Sequence, residues 1–277
     1  ISITKNKSPT FSNSKKTIEE VFFLFTRRYQ LFNDFFKKEL DIDNLVIFNG
    51  RFASSKAIES VISKYKSNIN VLYYERSHNL ERYTLQPYMT HNREKILEEI
   101  NQSWNECENH NEASKIAKTF FNTKISGRST DWFPFSKGIQ EIQKNSTSEK
   151  LDNFIEIEGN QIISYFTSSE DEFESLGDLW IDKRFKLSQK KIIEELSRIA
   201  IKNNKIFVIR VHPNLKNASK ETKYSWSKIF DKLPNKNTLI IKETDEVSSY
   251  KVINNSEIIV VYGSTIGIES LFLEKPV

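Results

Sequence analysis

The sequence predicts an α/β chain of two domains, each a parallel sheet flanked by helices, facing one another across a cleft. Three observations predict it. Short apolar runs alternate with amphipathic helical patterns along most of the chain. The runs are about 20 or more residues apart, the crossover length that parallel strands need. Between 127 and 159 the pattern weakens into polar, Gly- and Pro-punctuated sequence (Gly127, Pro134, Gly138, Asn145-Ser146-Thr147-Ser148), which reads as an interdomain region. An N-terminal domain over 1–158 and a C-terminal domain over 159–277 follow, both of ordinary size.

Residues 1 to 14 are polar and contain Pro9, so they read as a loop. From Ser14 to about Leu40, Ile18, Val21, Phe22, Leu24, Phe25, Tyr29, Phe32, Phe35 and Phe36 recur at three- and four-residue steps, the period of an amphipathic helix. Leu45 to Phe48 is the first strand, closed by Asn49-Gly50-Arg51. A helical pattern runs to Tyr65, and Val71 to Tyr74 is the next strand. Helical patterns resume at about 90 to 105 and 110 to 124. After the interdomain stretch the alternation is clean. Strands are expected at 162–166, 206–211, 238–241 and 258–261, with helices near 188–203, 220–232, 248–254 and from Thr265. Such alternation is that of a doubly wound, Rossmann-like sheet.

Composition narrows the function. The 41 basic and 37 acidic residues are interspersed and leave a net charge of +4, which argues against nucleic acid as the main ligand. The mildly basic surface suits anionic ligands such as nucleotide phosphates, and also peripheral association with the inner face of a cell membrane. Cys107 is the only cysteine and no Cys/His cluster has metal-ligand spacing, so no metal is expected and a reducing cytoplasm fits. No run of about 20 apolar residues spans a bilayer, and no signal-peptide layout opens the chain. The sequence begins at Ile1 and stops at Lys275-Pro276-Val277, where a further strand is expected to start; it reads as a piece of a longer protein with its C-terminal domain truncated. No Gly-x-x-x-x-Gly-Lys-Ser/Thr, Gly-x-Gly-x-x-Gly, Gly-x-Ser-x-Gly or His-Glu-x-x-His is present. P-loop NTPases, dinucleotide oxidoreductases, α/β-hydrolases and zincins therefore recede.

Ligands of open parallel sheets bind beyond the carboxyl ends of the strands. Four segments fall there. Gly263-Ser264-Thr265 joins the last strand to a helix: Gly263 permits close backbone approach, Ser264 and Thr265 offer hydroxyls, and the free N–H groups of a first helical turn attract phosphate. Glu269 follows one turn later, placed to accept from ribose hydroxyls; alternatively Ser264 is a helix cap and Glu269 is exposed. Arg210-Val211-His212-Pro213 ends another strand, with Arg210, His212 and Pro213 set for a donor phosphate, or with His212 as a turn residue only. Ser168 and Ser169 follow the first strand of the domain and can bind phosphate. The Glu170-Asp171-Glu172 run beyond them would orient sugar hydroxyls or be a solvated loop. In the first domain Asn49, Gly50, Arg51, Glu75 and Arg76 end neighbouring strands on the acceptor side. Glu75 is the candidate base, Arg51 and Arg76 the candidate anion holders, and a plain Glu/Arg ion pair is the alternative. His78 and His91 are weaker candidate bases.

Val208 to Asn214, Ser248-Ser249-Tyr250, Ser256 to Leu271 and Lys275-Pro276-Val277 together resemble the donor domain of capsule and lipopolysaccharide biosynthesis glycosyltransferases. Val46 to Arg51 with Tyr74-Glu75-Arg76 is similar to the acceptor-domain edge of the same group. The resemblance implies a GT-B fold and transfer of a sugar from a nucleotide-activated donor, a CMP- or UDP-sugar, to a glycan or glycolipid acceptor of the bacterial surface. It implies no metal requirement; no cofactor beyond that co-substrate is expected, and from their places at the strand ends Glu75 and His212 are the expected catalytic residues. The His-Pro pair and the Ser-Thr turn are also similar to the nucleotide-phosphate contacts of bacterial sialyl- and Kdo-transferases, whose acidic-acidic-Gly motif is absent here. A nucleotide-sugar 2-epimerase, a CDP-glycerol-type glycerophosphotransferase and a non-catalytic glycan- or nucleotide-binding module are the competing readings.

Overall fold

The computed structural model describes residues 11–38, 42–65, 69–76, 82–126, 146–158, 161–169 and 187–277. Among them, residues up to Glu108 form one compact unit and residues from Asn109 on form another. The described residues of 109–126 and 146–158 are grouped with the second unit. Among the described residues no helix is long and apolar enough to cross a membrane.

The first unit opens with α1 (Phe11–Phe36), kinked at Ser14, and α1 packs on α2 (Ala53–Tyr65). The Phe36 and Tyr65 rings stack at 6.3 Å, and Asn33 Oδ1 accepts from Tyr65 Oη at 3.0 Å. Strand β1 (Asn44–Phe48) pairs parallel with β2 (Asn70–Arg76), from Asn44 opposite Asn70 to Phe48 opposite Tyr74. The apolar helix face buried by this crossover includes Ala57 and Val61, with Ile47 from β1. Beyond the expected elements, β3 (Tyr83–Gln86) pairs antiparallel to β2 and gives the sheet order β1-β2-β3. Helix α3 (Arg93–Asn105) follows, its first turn capped by the Asn92 side chain.

The second unit begins with α4 (His110–Ile125) and α5 (Ser146–Glu158). Four parallel strands follow: β4 (Ile162–Phe166), β5 (Ile206–Arg210), β6 (Thr238–Ile241) and β7 (Ile258–Val261). Helix α6 (Gln189–Lys202) precedes β5. A 3₁₀ turn (Pro213–Asn217) and α7 (Lys220–Phe230) lead to β6, α8 (Ser249–Asn255) leads to β7, and α9 (Ile266–Phe272) follows it. The sheet order is β6-β5-β4-β7.

Strands buried on both faces read as unbroken apolar runs, and β4 and β5 do so because alternate residues feed two different cores. Ile162, Phe166, Ile206 and Val208 pack with Leu151 of α5 and with Tyr250, Val252 and Ile253 of α8. Ile163, Tyr165, Phe207 and Ile209 pack with Ile193 and Ala200 of α6 and with Trp226 and Ile229 of α7. The protein is therefore α/β with a parallel sheet flanked by helices. Right-handed crossovers require the helices of β4-β5-β6 to lie on one face; the return to β7 on the far side of β4 puts α8 on the other. Strand order thus reverses at β4, and the β4/β7 carboxyl edge is the topological switch point.

Phe207 lies on an interior strand with no exposed surface. Phe207→Ala is expected to cost about 3–5 kcal/mol of unfolding free energy, read as a lower denaturant midpoint with an unchanged slope. A midpoint within error of the parent would contradict the placement of this core.

Candidate functional site

The carboxyl edge of the second sheet gathers three strand exits. Leaving β4, Thr167, Ser168 and Ser169 are all buried, so their polar groups must be paired inside the protein. The Thr167 amide donates to Arg210 O, and Thr167 Oγ1 accepts from the His212 amide at 2.8 Å. Ser168 Oγ donates to the carbonyl of Tyr262 at the end of β7. Ser169 Oγ lies 3.2 Å from His212 Nδ1. The exits of β4, β5 and β7 are thereby tied to one another.

The hydrogen bonds around His212 set its tautomer. Nδ1 accepts from the Asn214 amide at 3.2 Å, and an amide N–H can only donate. Nδ1 therefore carries no proton, Ser169 is the donor in the second contact, and the neutral ring holds its proton on Nε2. Pro213 opens the 3₁₀ turn whose geometry brings the Asn214 amide back onto the ring.

At the end of β7, Gly263 adopts φ +66°, a left-handed conformation that suits glycine and turns the chain toward α9. Ser264 Oγ accepts from the Ile266 amide at 3.3 Å, while Gly263 and Thr265 are exposed. Glu269 is only 3% exposed: its Oε1 accepts from Lys124 Nζ at 2.6 Å and its Oε2 from Tyr250 Oη at 2.6 Å. Burial, then the hydrogen bond and charge of Glu269, push the Tyr250 hydroxyl well above its usual range. Arg210 is also buried, donating to Lys242 O at 2.6 Å and Asp245 O at 3.4 Å, so it holds the loop after β6. Burial lowers its guanidinium to about 10, with Asp245 and Glu243 opposing.

In the first unit the parallel register puts the ends of β1 and β2 at one edge. Asn49 (φ +59°) and Gly50 (φ +83°) form the turn, and Asn49 Nδ2 donates to a Glu75 carboxylate oxygen. The other Glu75 oxygen accepts from the Arg76 amide at 3.1 Å, and the Arg76 residue is exposed. A Cβ on Gly50 would stand 2.8 Å from both Met89 Cγ and Tyr73 Cε1, which fixes glycine there. Arg51 lies over the Phe52 ring at 5.3 Å. Asn49 Oδ1, Arg51 Nε, Thr90 Oγ1 and His91 Nε2 are buried with no hydrogen-bond partner among the described residues. Burial, then the Arg51 charge, lowers the His91 pKa, against an opposing pull from Glu75.

The structure thus joins Ser168, Ser169 and His212 at one edge, and Asn49 with Glu75 at the other. It engages Arg210 and Glu269 in buried internal bonds. Glu170, Asp171, Glu172 and His78 lie outside the described residues. Two residues at the β4 exit escaped sequence reasoning, Thr167 and Gln189. Thr167 continues a strand already identified, whereas Gln189 has its partners 21 and 24 residues away and no local signal marks it. Among the described residues no three His, Cys, Asp or Glu side chains gather in a metal-ligand group.

Two expectations follow. Glu269→Gln should leave the Lys124 ammonium, 11% exposed, without its counter-charge and cost about 3–5 kcal/mol. Adding Lys124→Met should recover most of that loss in a double-mutant cycle; additive losses would sever the proposed coupling. His91, lowered from 6.5 in the folded state, contributes stability that is present above pH 6.5 and lost as pH falls through the folded value. The stability difference between the parent and His91→Gln should therefore narrow or change on acidification below pH 6.5, and a pH-independent difference would remove His91 from the acid limb.

No protein-family model matches the chain, and no curated protein matches it. Among solved structures, Thermosulfurimonas dismutans KpsC, a beta Kdo 2,4 transferase, is similar over 83% of this chain and 66% of its own, at 14% identity and a TM-score of 0.49. S. aureus MnaA, in a co-structure with UDP, is similar over 91% of this chain and 60% of its own, at 12% identity and a TM-score of 0.34. The chain spans less than two thirds of either protein's length. Neither superposition reaches a TM-score of 0.5, so neither bears on what this chain does.

Proposed function

We propose that the chain is the donor-binding and acceptor-binding part of a metal-independent, GT-B-type glycosyltransferase that moves a sugar from a CMP- or UDP-sugar to a bacterial surface glycan. One observation supports this reading above the others: at the carboxyl edge beside the switch point, the β4 and β5 exits are joined by buried Ser169 paired with half-buried His212, whose ring proton sits on Nε2. A neutral imidazole N–H, fixed by two hydrogen bonds on its other nitrogen, is a donor suited to a departing nucleotide phosphate. It is not suited to act as a base while Nδ1 is so engaged. The Gly263 turn and the Ser264 and Thr265 hydroxyls offer further donors at the same edge.

In the proposed reaction an acceptor hydroxyl attacks the anomeric carbon, the bond to the nucleotide phosphate breaks, and the phosphate leaves with its charge met by His212 Nε2–H and the Ser/Thr hydroxyls. The hydroxyl proton passes to Glu75. A single displacement inverts the anomeric configuration. Glu75 is oriented by its hydrogen bonds from Asn49 Nδ2 and the Arg76 amide. Arg51 and Arg76 supply positive charge for an anionic acceptor.

Calorimetry and thermal shift with CMP, UDP, GDP, CDP and CDP-glycerol test the reading. Selective CMP or UDP binding is expected, weakened about tenfold or more by His212→Ala, the loss of one hydrogen bond to a charged group. Ser264→Ala is expected to weaken it further. Unchanged affinity in both variants sinks the site. A preference for CDP-glycerol points instead to a glycerophosphotransferase, turnover without acceptor to an epimerase, and binding without turnover to a non-catalytic module.

A further inference from the structure

Gln189 is the first residue of α6 and is 1% exposed. Its carboxamide makes three hydrogen bonds at the end of β4. Oε1 accepts from the Ser168 amide at 2.9 Å and from Tyr165 Oη at 3.1 Å, and Nε2 donates to Ser168 O at 3.1 Å. Reversing the amide would set its NH₂ against the Ser168 N–H and its oxygen against the Ser168 carbonyl, so the network itself fixes the orientation. Both backbone polar groups of Ser168 are therefore held by one side chain, much as a neighbouring strand would hold them.

The consequence runs outward from Ser168. Its hydroxyl donates to Tyr262 O, and the hydroxyl of the next residue, Ser169, donates to His212 Nδ1. Among the described residues no strand lies beyond the Ser168 backbone to hold it there, because β4 has ended at Phe166. We infer that Gln189 is a positioning residue of this site: by clamping Ser168 it sets the Ser169 hydroxyl on His212 Nδ1, as a second donor beside the Asn214 amide that fixes the tautomer. The functional meaning rests on the donor-site reading above. The structural step does not, and it is measurable without any nucleotide.

The test pairs two variants with two readouts. Gln189→Met keeps side-chain length and removes all three bonds; Gln189→Glu keeps the acceptors for Ser168 and Tyr165 but turns the donation to Ser168 O into a contact between two acceptor oxygens. The ring nitrogens of His212, one of four histidines, are observed by NMR in ¹⁵N-histidine-labelled protein and assigned by their loss in His212→Asn. All variants are expected to keep the Nε2–H tautomer, and Gln189→Met to move the Nδ1 resonance toward that of a ring nitrogen with one hydrogen bond fewer, Gln189→Glu moving it less. Should Gln189→Met fail to fold, Gln189→Glu carries the comparison. An Nδ1 resonance identical to the parent's in the folded variants overturns the inference. CMP and UDP affinities are then expected to fall about tenfold in Gln189→Met, the scale of one hydrogen bond to a charged group. A shifted Nδ1 resonance with unaltered affinity overturns the positioning role. A parent chain that binds neither nucleotide counts against the donor site, whereas the clamp on Ser168 is decided by the Nδ1 resonance alone.

Discussion

In the order β6-β5-β4-β7 the chain fills one side of β4 with β5 and β6 and then returns to fill the other with β7. This reversal is what the rest of the second unit depends on. Residues 167–169 leave the sheet between two strands whose own exits diverge to different helices, and they do so buried. A buried backbone without a strand neighbour leaves polar groups that must find side-chain partners. Each partner observed at this edge answers that requirement: Thr167 Oγ1 meets the His212 amide, Gln189 meets Ser168, and Ser168 Oγ meets Tyr262 O. The geometry offered to a ligand is a by-product of satisfying the chain's own hydrogen bonds, which also makes it rigid.

Much of this framework was legible in the sequence because parallel strands buried on both faces leave continuous apolar runs. Ile162 to Phe166 and Ile206 to Arg210 could hardly be anything else once helical patterns of crossover length separated them. The elements that were not legible lack that signal. Strand β3 is four residues long, sits at a sheet edge and exposes Tyr83 and Leu85, so burial wrote no pattern into it. Helix α5 lies in a stretch whose Asn and Ser residues read as linker, yet Leu151 is fully buried and Lys251 of α8 bonds to Asp152 and Ser148. A helix anchored mainly by distant contacts looks like a loop to any local window.

Site residues divide along the same line. Parallel pairing alone puts Asn49 and Glu75 at one edge, and their hydrogen bond follows from the observed register, Phe48 opposite Tyr74. Glu269 and Arg210 are different. Each has a charge suited to a ligand and a position near the edge, but each is buried against partners that no spacing rule reveals. Lys124 is 145 residues from Glu269, and Arg210 donates to two loop carbonyls after β6. A buried charge must be paired or neutralised. Where the partner is another side chain or the backbone, the charge shapes the site from behind.

The two edges differ in how completely they are satisfied. At the carboxyl edge of the second sheet Ser168, Ser169, His212 and Gln189 bond to one another or to the backbone, and Arg210 Nε is buried there without a partner among the described residues. At the β1/β2 edge Asn49 Oδ1, Arg51 Nε, Thr90 Oγ1 and His91 Nε2 are buried without a partner among the described residues. An unpaired buried group costs roughly 1–3 kcal/mol, so such a cluster is stable only if the surrounding fold over-determines it. The fold does so here: Asn49 and Gly50 take left-handed φ, and Gly50 is packed against Met89 and Tyr73 with no room for a Cβ. A rigid edge whose donors and acceptors are already desolvated pays little reorganisation when hydroxyl groups arrive, since the desolvation was done in folding. A self-satisfied edge suits a ligand recognised by one fixed donor, as His212 Nε2–H provides. An unsatisfied edge suits one recognised by many weak groups at once.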